Sequence, residues 1–252
     1  MRVKVVLPTI LIAVYSLSAK AITNIESQRA SGEVDGLKGA FDFSITGKSG
    51  NSDKQTSAAS GRLDYRRAEN QALFIAKTEY GESNKIKDAD NNFVHFRYIH
   101  HNSERFAWES FIQYQDDEFK LLDSRKLMGG GVRFDLSAEQ RYQLSLGLGA
   151  YYTEEVHQLA AAELREDYAR ANSYVSYSQQ LTETATISNT LYWQPRFSQP
   201  SDGYVYNNFS LSVKINDALS LKVSLESQYD SQPVANVEHT DHSYYTALVY
   251  EF

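Results

Sequence analysis

The chain has 252 residues, a formal net charge of -7 and no cysteine. Without cysteine there is no disulfide framework and no thiolate metal or nucleophile site, and the acidic balance removes the electrostatic case for nucleic acid. Eighteen tyrosines and twelve phenylalanines favour strands and membrane interfaces. A mean hydropathy of -0.49 is too polar for a helical membrane protein, but it suits a barrel in which only alternate residues face lipid.

Met1 to Lys4 is short and basic, Val5 to Ser18 is apolar apart from Pro8 and small hydroxyls, and Ala19-Lys20-Ala21 is a small-x-small cleavage site. This layout predicts a secretory signal over residues 1–21; the apolar run is shorter than the ~20 residues a membrane helix needs. Losing Arg2, Lys4 and Lys20 with the signal takes the net charge from -7 to -10. Residues 22–35 lack periodicity and carry Ser, Glu, Gly and Asp, the composition of a flexible periplasmic leader.

From residue 36 onward the period is two. Alternation predicts twelve strands, at 36–47, 54–66, 71–81, 92–102, 105–116, 124–136, 140–153, 165–181, 184–195, 203–215, 218–231 and 241–252. In the clearest of them Tyr142, Leu144, Leu146, Leu148, Ala150 and Tyr152 fall on one face, opposite Gln143, Ser145, Gly147, Gly149, Tyr151 and Thr153, because successive strand side chains point to opposite sides. Met128-Gly129-Gly130-Gly131 lies inside a strand and marks a bend or a close backbone approach. Connections after even-numbered strands are short, while several after odd-numbered ones, such as Glu82 to Asn91, Glu154 to Leu164 and Gln232 to Thr240, are longer and acidic. Within Glu154 to Leu164 the spacing of Val156, Leu159, Ala160 and Leu164 also allows a helical turn. Short periplasmic turns alternating with long outer loops, and an even strand count, define an outer-membrane barrel. The last strand ends on Tyr245-x-Ala247-x-x-Tyr250-x-Phe252, and we read Tyr245, Tyr250 and Phe252 as its assembly signal. The fold class is therefore an all-β, transmembrane antiparallel up-and-down barrel over residues 36–252, in the outer membrane of a Gram-negative bacterium.

Gly47-Lys48-Ser49-Gly50-Asn51-Ser52, Tyr80-Gly81-Glu82-Ser83, Tyr229-Asp230-Ser231-Gln232-Pro233, Thr240-Asp241 and the closing Val249-Tyr250-Glu251-Phe252 together resemble a family of uncharacterised proteobacterial proteins labelled salt-induced outer membrane proteins. The resemblance covers residues 36–252. It implies a barrel and a role in envelope stress, and it carries over no catalytic residue.

By alternation Asp42, Arg62, Asp64, Arg66, Lys77, Glu79, His95, Arg97, Arg105, Glu109, Arg133, Arg141, Lys222, Glu226 and Asp230 face inward. Opposite charges in a narrow lumen pair with one another. Barrels of about eight strands are filled by side chains and those of about sixteen leave a channel, so twelve falls between. One expectation is thus a narrow channel for ions or small polar solutes, with these residues as pore lining. The alternative is a non-conducting structural or interaction barrel. A lipid-acting enzyme is the remote third, since His100 and Ser110 face lipid on neighbouring strands but at different levels, and a nucleophile needs its base within hydrogen-bond reach. His95 and His101 share a face about 20 Å apart, too far to hold one metal ion. No cofactor is expected. The expected partners are outer-membrane lipids, lipopolysaccharide and the barrel assembly machinery.

Overall fold

A computed structural model describes residues 35–48, 53–138, 141–159, 162–233 and 238–252; the predicted signal and nearly all of the leader lie outside them. Twelve strands run in chain order: β1 Gly36–Lys48, β2 Lys54–Arg67, β3 Asn70–Ser83, β4 Ile86–Ser103, β5 Phe106–Asp117, β6 Leu122–Ala138, β7 Tyr142–Gln158, β8 Glu163–Gln180, β9 Ala185–Arg196, β10 Gln199–Lys214, β11 Leu219–Asp230 and β12 Thr240–Glu251. Each pairs antiparallel with its neighbours in sequence, and β12 returns to β1, so the sheet closes. Closure leaves no free sheet edge to satisfy, which is what a β-structure needs in lipid.

Each strand turns one face to solvent-exposed apolar residues and the other to a packed interior. In β4, Val94, Phe96 and Tyr98 are exposed while Phe93, His95, Arg97 and Ile99 are buried. Trp108, Ile112, Met128, Leu148, Leu191, Trp193, Leu221 and Leu248 continue the outer apolar band around the wall.

The expected long, acidic outer loops are mostly absent among the described residues. Glu82 to Asn91 is a two-residue turn, Asn84-Lys85, between tall strand extensions, with φ of 51° and 64° at its two residues. Positive φ at both central positions is the hairpin turn whose twist matches the flanking strands. Lys54–Asp88 and Lys87–Asp90 ion pairs, both 2.9 Å, and a contact of Lys87 with Glu118 cross this rim. Glu118, then Asp90, hold the Lys87 ammonium above the ordinary lysine range. Glu154 to Gln158 likewise belongs to the end of β7, and Glu163 and Leu164 to the start of β8: Val156 pairs with Arg165 and His157 with Leu164. Ala160 of the expected helical turn lies outside the described residues. These segments are polar because they stand above the apolar band, and a polar run keeps its ladder when a partner strand is present.

The closing seam is the shortest in the barrel. β1 and β2 share thirteen register pairs, whereas β1 and β12 share four, from Ala40↔Glu251 to Phe43↔Leu248. Below them Gly39 and Phe252 exchange backbone hydrogen bonds of 2.9 and 3.0 Å. A Cβ at Gly39 would lie 2.2 Å from the Phe252 ring, so the terminal aromatic occupies the space that the glycine leaves open.

Candidate functional site

From mid-height toward the cup, the lumen is filled with side chains. Leu73, Ile75, His95, Ile99, Tyr192 and Gln194 are 0 % exposed, and Arg97 and Tyr206 1 %. His95 is stacked between Phe93 and Phe111, at ring distances of 6.1 and 5.8 Å, and meets the Gln113 amide oxygen at 3.1 Å. Arg97 donates to Glu109 at 2.8 Å, with its guanidinium 5.2 Å from the Phe111 ring centre. The Tyr174 hydroxyl donates to the same Glu109 at 3.4 Å and accepts from Arg133 at 3.4 Å. Arg133 also donates to Ser145 at 2.7 Å and Asp135 at 2.9 Å. One connected network therefore reaches from β4 to β8 across the interior.

Glycines make room for it. A Cβ on Gly147 would sit 1.9 Å from the Tyr174 ring, and one on Gly129 would meet the Ala150 carbonyl oxygen at 2.5 Å and the Phe111 ring at 2.7 Å. On the lumen face of β6 and β7 the missing side chains are replaced by aromatic rings from other strands.

Toward the outer rim a second group of charges is paired. Arg125 binds Glu155 through two hydrogen bonds of 2.7 and 3.1 Å, and Tyr168 donates to that carboxylate at 2.6 Å. Arg170 donates to Asp202 at 2.6 Å, and Arg170 and Arg196 lie 4.9 and 4.3 Å from the Tyr168 ring centre. The two-pronged Arg125–Glu155 contact is strong and orienting. These side chains enclose a cavity of only about 60 Å³. A larger cavity of about 310 Å³ lies against β1 to β5 and β10 to β12, reaching down to Asp42 and Ala247.

The inward residues named from sequence divide accordingly. Arg97, Glu109, Arg133 and buried His95 belong to the mid-height network. Asp64 is buried and takes both amide hydrogen bonds of Gln71, at 2.8 Å. Arg62, Arg66 and Lys222 are half-buried. Half-buried Lys77, Glu79 and Glu226 line the larger cavity, and Asp230 the smaller. Arg105 and Arg141 stand exposed at the short-turn rim, outside the packed lumen: β5 begins only at Phe106 and β7 at Tyr142, so both arginines lie in connections and not on strands. Tyr245 points away from Tyr250 and Phe252, into the lumen, where it meets Glu226 at 3.4 Å. Sequence reading missed Arg125, Glu155, Arg170, Asp202 and Tyr174. Arg125 and Arg170 shared the inward parity of their predicted strands, but Glu155 and Asp202 fell in predicted loops, where parity has no meaning.

His100 binds Asn70 at 3.1 Å and is paired in register with Trp108, whereas Ser110 is paired with Tyr98, so the two are not joined. His101 binds Gln71 at 3.1 Å. Among the described residues no group of three or more His, Asp or Glu is placed to hold a metal ion.

Among solved structures the chain is similar to the translocator domain of the autotransporter NalP from Neisseria meningitidis, with a TM-score of 0.55 and 11 % identity over 88 % of this chain and 90 % of that one. It is similar to the NanC porin, at 0.51 and 9 % over 84 % and 98 %. The beta domain of the Bordetella autotransporter BrkA gives 0.50 and 9 % over 87 % and 99 %. Likeness at such identities concerns the fold alone. No curated protein matches the chain. The strand pattern, the closed sheet and the terminal aromatic seam agree with the match of residues 41–252 to one family model, and the chain belongs to that family, described as Protein of unknown function, DUF481.

Proposed function

We propose that this protein is a closed, non-conducting barrel of a Gram-negative outer membrane, which supports the envelope and presents an outward-facing cup. The observation that carries this reading is the mid-height layer of 0–1 % exposed side chains crossed by the Arg97–Glu109–Tyr174–Arg133 network. These groups are packed against one another, and an ion crossing the layer would have to break buried charge pairs, which is costly. The exposed apolar band supports insertion among outer-membrane lipids and lipopolysaccharide, after delivery by the barrel assembly machinery. The narrow-channel reading draws support from the 310 Å³ cavity, but that cavity is lined no deeper than Asp42 and Ala247. The link to salt stress rests on the family resemblance alone and is tested by the abundance of the protein in envelopes from cells grown at two salt concentrations.

Planar-bilayer recording of the folded protein, beside a known porin, tests the closed reading. Wild type is expected to be silent, and a Tyr174→Ala/Arg133→Ala variant, with its plug thinned, is expected to give discrete steps. Steady wild-type steps with ion preference would overturn the closed reading in favour of a channel.

A further inference from the structure

The cup has the chemistry of a ligand site. Its volume of about 310 Å³ is at the lower end of the ~300–1,000 Å³ of small-molecule sites. Side-chain amides and hydroxyls dominate the polar part of its lining, with Asn91, Gln115, Gln228, Ser44, Thr56 and Ser60 among them. Aromatic rings of Phe93, Tyr206 and Tyr245 line it as well. Three of its carboxylates accept from neutral donors: Asp42 from Ser60 at 2.9 Å, Glu79 from Asn91 at 3.2 Å and Glu226 from Asn208 at 3.0 Å. Lys77 is the cation of the lining, 5.7 Å from the Phe93 ring centre, and Lys222 lies in the field of Asp42 and Glu226. The acidic excess disfavours an anionic ligand.

Tyr206 is 1 % exposed and lines the cavity, with its hydroxyl turned to Glu226 and Asn208. This polar group at the cavity wall is a hydrogen-bond partner for a ligand hydroxyl, worth about 1 kcal/mol. Aromatic rings set among amides, hydroxyls and carboxylates match a compact, uncharged molecule that carries both hydroxyls and C–H surface.

We propose that the cup binds a neutral sugar, of one or two rings. The site goes beyond the closed-barrel reading and does not depend on it, because binding in the cup and conduction through the lumen are separate measurements. The sugar has two possible sources. It reaches the cup from solution through the outer mouth, or as a lipid headgroup through the wall between β1 and β12, whose register pairs stop at Phe43↔Leu248 while Ser44, Thr46, Ser243 and Tyr245 above them line the cavity.

The test is calorimetric titration of the folded full chain in a sugar-free zwitterionic detergent. The probes are glucose, galactose and maltose, dodecyl maltoside as the lipid-borne form, glucuronate, and spermidine. Saturable binding of a free neutral sugar is expected, with no binding of glucuronate. Binding of dodecyl maltoside without free maltose also supports the site and assigns it to lipid-borne sugar. Tyr206→Phe is expected to weaken binding about tenfold, one hydrogen bond's worth, and Ser44→Trp, which fills the cup from its rim, to abolish it; unchanged heat-modifiable mobility shows that both variants are folded. The proposal is overturned by a folded barrel that binds no neutral sugar in either form, by spermidine binding in place of sugar, or by affinity unaltered in both variants.

Discussion

At Gly147 the absent side chain is a structural element, since the Tyr174 ring occupies the place a Cβ would take, 1.9 Å away. Gly147→Val must push that ring off Glu109 and Arg133, and overpacking of this kind costs about 1–3 kcal/mol. A lower urea midpoint for unfolding from lipid vesicles is the expected outcome; an unchanged midpoint would mean that the ring has somewhere else to go. Arg97 and Glu109, 1 % and 5 % exposed in their side chains, form a pair whose members cannot be removed singly without stranding a charge. Arg97→Ala should therefore destabilise by about 3–5 kcal/mol. The double variant Arg97→Met/Glu109→Met, which removes both charges and keeps the volume, should recover most of the loss in the same urea titration. The inward parity of both residues was legible in sequence, because each lies on a strongly alternating strand. Their bond was not, because which neighbour an inward side chain meets is set by register and tilt.

Among the elements, β1 and β12 are the weakest neighbours, with four register pairs and the Gly39–Phe252 exchange below them. The Phe252 ring lies where a Gly39 side chain would be, so the two residues are coupled. Phe252→Ala and Gly39→Val are each expected to lower the folded fraction in heat-modifiable electrophoresis, the first by opening a gap and the second by collision. Combined, they should recover part of it, because the valine then fills the space of the lost ring; simple additivity of the two losses would show that ring and glycine act independently. The terminal aromatic announced this seam from sequence, but its seat on Gly39 is a fact of closure between residues far apart in the chain. The outer hairpins show the opposite failure: Ile86 to Asn91 and Glu154 to Gln158 read as loops because they are polar. Polarity there marks strand ends above the apolar band, where Glu155 turns inward to Arg125 and His157, and partner strands keep the ladder.

For the whole molecule the decisive quantity is the state of the lumen. A twelve-stranded barrel is wide enough to hold water and narrow enough to be filled, and here Tyr174, Tyr192, Arg97 and their neighbours fill it. If the buried layer is the barrier, wild type stays silent in bilayers and the Tyr174→Ala/Arg133→Ala variant conducts; enlarging the cup alone, as with Phe93→Ala, should produce no current. A current from Phe93→Ala would put the barrier in the cup and not at mid-height. The sequence by itself determined the strand count, the period-two faces and the closing aromatic strand, because these are local patterns that a strand imposes on adjacent residues. Only the tertiary structure decided that the charges pair across strands, that glycines receive rings from distant strands, and that the outer half opens into a cup. Those outcomes depend on register, tilt and the distance across the lumen, which no stretch of neighbouring residues encodes.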